Sequence, residues 1–71
     1  MFNERLLRSY IVLRGLTFAQ MAEKLGIHEA TLGHKIKRGG TFTRAEIYKI
    51  KTVLELSDEE MISIFFANEL T

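Results

Sequence analysis

Apolar residues return along this chain every three or four positions, in five series separated by short polar or glycine-containing stretches. The series are Leu6, Leu7, Tyr10, Ile11 and Leu13; Met21, Ala22 and Leu25; Leu32 and Ile36; Ile47, Ile50 and Leu54; and Met61, Ile62, Ile64, Phe65, Phe66 and Leu70. That spacing is helical throughout, confined mainly to one side in the first four series and broader in the fifth, and no stretch alternates as a half-buried strand does. The starts are marked as well. Thr17 with Gln20, Thr43 with Glu46 and Ser57 with Glu60 each form the S/T-x-x-E/Q pair, in which hydroxyl and carboxyl or amide group satisfy each other's backbone N–H. Asn3 can cap the first helix. With no proline in the chain, Gly15, Gly26 and the pair Gly39-Gly40 supply the stops. The pattern predicts an all-α fold of five short helices, a compact single domain over residues 1–71.

The second and third helices are the most informative pair. Only Ile27 lies between Gly26 and His28, so a turn of three to four residues opening on glycine joins a helix that starts at Thr17 to one over residues 29–37. This is a helix-turn-helix connection, over residues 17–38, with Ile27 free to drop into the core and fix the crossing angle.

Charge sharpens the picture. The formal net charge is only +1, but residues 1–52 hold all ten Lys and Arg against four acids, while residues 53–71 hold five acids and no base. A basic body with an acidic end suits contact with a polyanion. A chain of 71 residues buries only roughly 60% of its unfolded surface, and without cysteine it has neither disulfides nor thiolate metal sites, so helix packing or self-association must support it. His28 and His34 are about 240° apart on a helix and do not converge on a metal. There is no membrane-length apolar run, no leader-like segment and no Gly-rich phosphate loop. The reading is a soluble, cytoplasmic protein that is not an enzyme, needs no cofactor or metal and takes no small-molecule ligand.

Met21, Ala22, Leu25, Gly26, Ile27, Leu32 and Ile36, followed by the two-glycine loop and "TRAEIYKIKTVLEL", resemble the lambda-repressor-like helix-turn-helix domains of phage repressors, Cro proteins and related bacterial regulators, over about residues 16–56. The resemblance implies five helices, the third lying in the major groove, and binding as a dimer to a palindromic operator. In many relatives a glutamine opens the second helix; here Phe18 stands there and Gln20 comes two residues later.

On the third helix, Leu32 and Ile36 define the buried direction. The opposite side presents Ala30, Gly33, His34 and Lys37, and with Glu29 in the first turn these form the expected base-reading set: His34 and Lys37 as donors to guanine, Glu29 as an acceptor from cytosine, Ala30 against a thymine methyl, and Gly33 allowing close approach. Gln20, His28, Thr31, Lys35, Arg38, Thr41, Thr43 and Arg44 carry chemistry suited to phosphates. The expected partner is double-stranded DNA, and the expected function sequence-specific transcription regulation. The alternative is a protein-interaction module of the same fold, antirepressor-like, which Glu29, Ala30 and the missing glutamine at the start of the second helix favour.

The fifth series predicts a helix over residues 57–70 whose apolar residues sweep an arc of about 240°, against the roughly 100° of an ordinary surface helix. A homodimer would use the excess. Met61 and Phe65 are assigned to the chain's own core, and Ile62, Phe66 and Leu70 to the second subunit.

Overall fold

Four of the five helices begin at a side-chain acceptor, and four helix ends are closed by one residue in the left-handed region. A computed structural model describes residues 2–66. It contains α1 (Glu4–Leu13), α2 (Phe18–Leu25), α3 (Glu29–Lys37), α4 (Arg44–Val53) and α5 (Asp58–Phe65), with no strand among the described residues. Asn3 accepts the Leu6 N–H at 3.0 Å, and all three S/T-x-x-E/Q pairs close in both directions as complete capping boxes.

The ends of α1 to α4 share one hydrogen-bond pattern. The N–H of the left-handed residue reaches back three carbonyls and the next N–H reaches back five: Gly15 to Val12 with Leu16 to Ile11, Gly26 to Glu23 with Ile27 to Ala22, Gly39 to Ile36 with Gly40 to Lys35, and Glu55 to Thr52 with Leu56 to Lys51. These are Schellman closures. Three use glycine, which adopts positive φ without steric cost; the fourth uses Glu55 at φ 53°. Arg14 steadies that strained turn, its Nε donating to the Leu54 carbonyl at 2.6 Å and a second guanidinium nitrogen to Glu55 O at 3.4 Å.

The reversals drive apolar side chains inward. Leu7, Ile11, Met21, Ala22, Leu25, Leu32, Ile36, Ile50, Leu54, Leu56, Ile64 and Phe65 form the buried core, and none of the described buried residues is polar. α2 packs on both α3 and α4, and α1 packs on α5. The radius of gyration, 11.1 Å, is about what a compact chain of this length should have.

Three expectations need correction. Leu13 is 67% exposed; it lies two residues beyond Ile11, about 200° around the helix, and so faces away from the core. The fifth helix ends at Phe65, with Phe66 at φ −133° already out of helical geometry, so Phe66 does not continue the predicted arc; Leu70 lies outside the described residues. The deepest residue on α5 is Ile64, fully buried, whereas Met61 is half-buried against the core's edge.

Part of the α5 surface finds its cover within the chain. The Asn3 N–H donates to Ile64 O at 2.6 Å, and Phe2 packs with Phe42 and Phe65 at ring-centroid distances of 6.0 and 5.6 Å, while Phe42 meets Phe65 edge-on at 5.9 Å. Gly40 lies beneath Phe2; a Cβ built there would overlap the ring, and its φ of 75° excludes most other residues independently. The chain's start, the loop before α4 and α5 are thus joined in one aromatic cluster.

Glu55→Gly is expected to stabilise the protein by about 0.5–1 kcal/mol, since removing the left-handed strain outweighs the added unfolded-state freedom of glycine. Urea unfolding measures this; Glu55→Ala should show no gain, and a loss with glycine would contradict the strain assigned to this turn.

Candidate nucleic-acid interface

α3 is held by two side chains. Leu32 and Ile36 are each 1% exposed, and the helix turns most of its remaining surface outward. Glu29, Ala30, Thr31, His34, Lys37 and the capping residue Arg38 are exposed, while Gly33 and Lys35 are half-buried. All five residues expected to read bases therefore lie on α3, four of them exposed. A Cβ added at Gly33 would meet nothing within 4 Å. Glycine inside a helix costs about 1 kcal/mol relative to alanine, so the fold itself gives no packing reason for glycine here.

The start of α3 differs from the other four. His28 is extended and makes no side-chain cap, leaving the amides of the first turn without a side-chain acceptor. Glu29 opens the helix where a carboxylate is favoured by the helix dipole. Gln20, on α2, is exposed, but its carboxamide oxygen accepts the Thr17 N–H at 2.8 Å; only its amide hydrogens remain for an outside acceptor.

The expected phosphate residues fall into two groups. Arg38 and Arg44, like Lys37 of the base-reading set, are exposed and make no ion pair among the described residues. Thr41 and Thr43 are exposed beside them in the loop, Thr43 being the cap of α4, whose hydroxyl accepts from the Glu46 N–H. Lys35 belongs elsewhere. Its Nζ lies 3.3 Å from Glu46 Oε1, and both side chains are only about a quarter exposed, 24% and 25%. Lys35 ties α3 to the first turn of α4, so its charge is already partly answered within the chain.

Glu46 does double duty, because the same Oε1 accepts the Thr43 N–H at 2.8 Å. The backbone bond from Thr43 is the main reason its carboxyl titrates below the ordinary value of 4.5, with Lys35 adding to the effect. Glu60 is depressed in the same way, first by the Ser57 amide and then by the Tyr10 hydroxyl, which donates to Glu60 Oε2 at 2.9 Å and links α1 to α5.

The tie between Lys35 and Glu46 had no signal in the sequence, since the residues are eleven apart and on different helices. Arg14 was likewise missed as the clamp on the Glu55 turn. Tyr48 carried a faint signal: it is a large aromatic outside the Ile47, Ile50 and Leu54 series, and it is 69% exposed. Ile62 and Phe66, expected at a subunit interface, are half-buried, with Phe66 packed against the core. Among the described residues no group of three or more His, Asp or Glu could hold a metal, and no helix is long and apolar enough to cross a membrane.

Comparison with protein-family models, with curated proteins and with solved structures finds no match.

The depressed carboxyls fix the sign of an acid response. In the window below 4.5 the unfolded chain binds more protons than the folded one, so stability rises with pH there and is lost as pH falls through the folded values. Thermal melting followed between neutral pH and pH 3 should show the midpoint falling on acidification. Glu46→Gln with Glu60→Gln, which keeps the caps but removes both titrations, should flatten that fall; an undiminished slope in the double variant would assign it to other groups.

Proposed function

We propose that this protein is a sequence-specific, double-stranded DNA-binding transcription regulator in which α2, the turn at residues 26–28 and α3 act as a helix-turn-helix and α3 enters the major groove. The carrying observation is the state of α3: two buried anchors, an outward row of small and polar side chains, and at its end two bases, Lys37 and Arg38, which like Arg44 at the start of α4 make no ion pair among the described residues. B-DNA's major groove admits one helix, and a helix suited to it needs few buried contacts and an unobstructed face.

The roles follow from chemistry and position. His34 and Lys37 donate to guanine edges, Glu29 accepts from cytosine N4, and Ala30 packs on a thymine methyl. Gly33 lets the helix backbone sit close to the bases. Arg38 and Arg44, with the hydroxyls of Thr41 and Thr43, grip phosphates and set the register. Lys35 acts mainly through Glu46, holding α4 and its loop in place. Binding as a dimer to two half-sites about 34 Å apart suits a reading helix with few long side chains, because linked half-sites multiply weak individual affinities.

The test is a binding assay against DNA from the protein's own promoter region and against random DNA, at several salt concentrations. Each neutralised phosphate contributes roughly −0.9 to the slope of log affinity against log salt. Arg38→Ala and Arg44→Ala should each weaken both DNAs alike and make the slope shallower by about one unit. Unchanged slopes in both variants would take this loop out of the interface.

Gly33→Ala separates folding from binding. The added methyl has open space in the free protein, so the variant should be more stable by about 1 kcal/mol. On DNA the same methyl occupies the place of closest approach, and affinity for the preferred site should fall. A variant that gains stability and keeps full affinity would mean that α3 does not lie against the bases at this point.

A further inference from the structure

Between α4 and α5 lies a groove of about 340 Å³ lined by Arg44, Ile47, Tyr48, Met61 and Phe66. Its walls are apolar and aromatic, and among the described residues Arg44 is the only charged one that lines it. Tyr48 stands 69% exposed on one wall, an unusual position for a large ring on a helix whose opposite side already fills the core with Ile50. DNA has no use for such a surface: a phosphate can meet Arg44 but gains nothing from Ile47, Met61 or Phe66. A ligand that satisfies the whole lining must combine an apolar side chain with a negative charge.

We propose that this groove is a docking site for a segment of another protein in which a carboxylate sits beside an aromatic or branched aliphatic side chain. The apolar side chain lies between Tyr48 and Met61, and the carboxylate pairs with the Arg44 guanidinium, whose planar fork suits bidentate recognition. Charge complementarity selects this occupant, since an acidic segment matches Arg44 and a basic one is repelled by it. One consequence rests on the DNA-binding reading. A guanidinium held by the segment's carboxylate is unavailable to a phosphate, so segment and DNA compete, each weakening the other by the same factor.

The experiment uses the full chain, isotope-labelled, titrated with two 12-residue peptides that share a central Phe-Leu pair and differ only in flanking residues, Glu in one and Lys in the other. The Glu peptide is expected to shift the resonances of Ile47, Tyr48 and Met61, and the Lys peptide is not. Tyr48→Ala, at an exposed position whose spectrum also reports folding, should abolish the shifts, and Arg44→Gln should weaken binding about tenfold. Fluorescence anisotropy with labelled DNA then reads the competition: the Glu peptide should lower the DNA affinity of the wild type and leave that of Tyr48→Ala unchanged.

Equal shifts with both peptides, shifts elsewhere, or none would overturn the docking site. So would binding that appears only after Leu70→Ser, which would give the groove to the chain's own residues 67–71, or movement of the Ile47 and Met61 resonances on dilution alone, which would give it to a second copy. Peptide binding without any change in DNA affinity would overturn the competition. Failure to bind any DNA would sink the transcription-regulator reading, while the peptide titration would still decide the docking site.

Discussion

The fold depends on stopping helices without proline. A helix end leaves carbonyls unsatisfied, and each of the first four helices meets this by turning one residue left-handed, so that two amides reach back over the last turn. The closure reverses the chain and presents the following residue to the core. Leu16, Ile27 and Leu56 occupy that place after α1, α2 and α4, and all three pack with the core cluster. The same device therefore ends the helices, sets the angles between them and supplies part of the core. At the turn between α2 and α3 it also fixes how the candidate reading helix leaves the body.

Local signals of this kind could be read from the sequence. The capping boxes, the glycine stops and the bounds of α3 all depend on residues within five of one another, and the structure agrees with them. The misreadings had both local and distant causes. Leu13 was grouped with an inner face it does not share, and α5 was extended past Phe65. Nothing in the pattern of α5 announces that Phe2 and Phe42 pack against Phe65. Glu55 hides a stop of the same type as the glycines, since a glutamate in that place carries no turn signal.

The candidate interface was legible as a list of residues but not as an arrangement. The spacing placed Ala30, Gly33, His34 and Lys37 on one side of a helix and the bases near its end. It could not divide those bases into Lys35, engaged by Glu46, and Arg38 and Arg44, which have no such partner among the described residues. That division arises from the meeting of α3 with the first turn of α4, where one carboxylate caps a helix and holds a lysine together. Scaffold and surface share a group there, so a change at Glu46 reaches both.

The aromatic cluster sets an order on how the molecule comes into being. α2 and α3 can form from neighbouring residues, but the loop that carries Thr41 and leads to Arg44 is held at Gly40 and Phe42 by Phe2 from one side and Phe65 from the other. Contacts that span nearly the whole chain close late, because the entropy of the intervening loop must be overcome first. On a ribosome, a growing chain already has both helices of the pair in the open well before residue 65 emerges. Until then the basic loop lacks its aromatic support, and the nascent chain holds the candidate reading helix beside a loop not yet fixed in place.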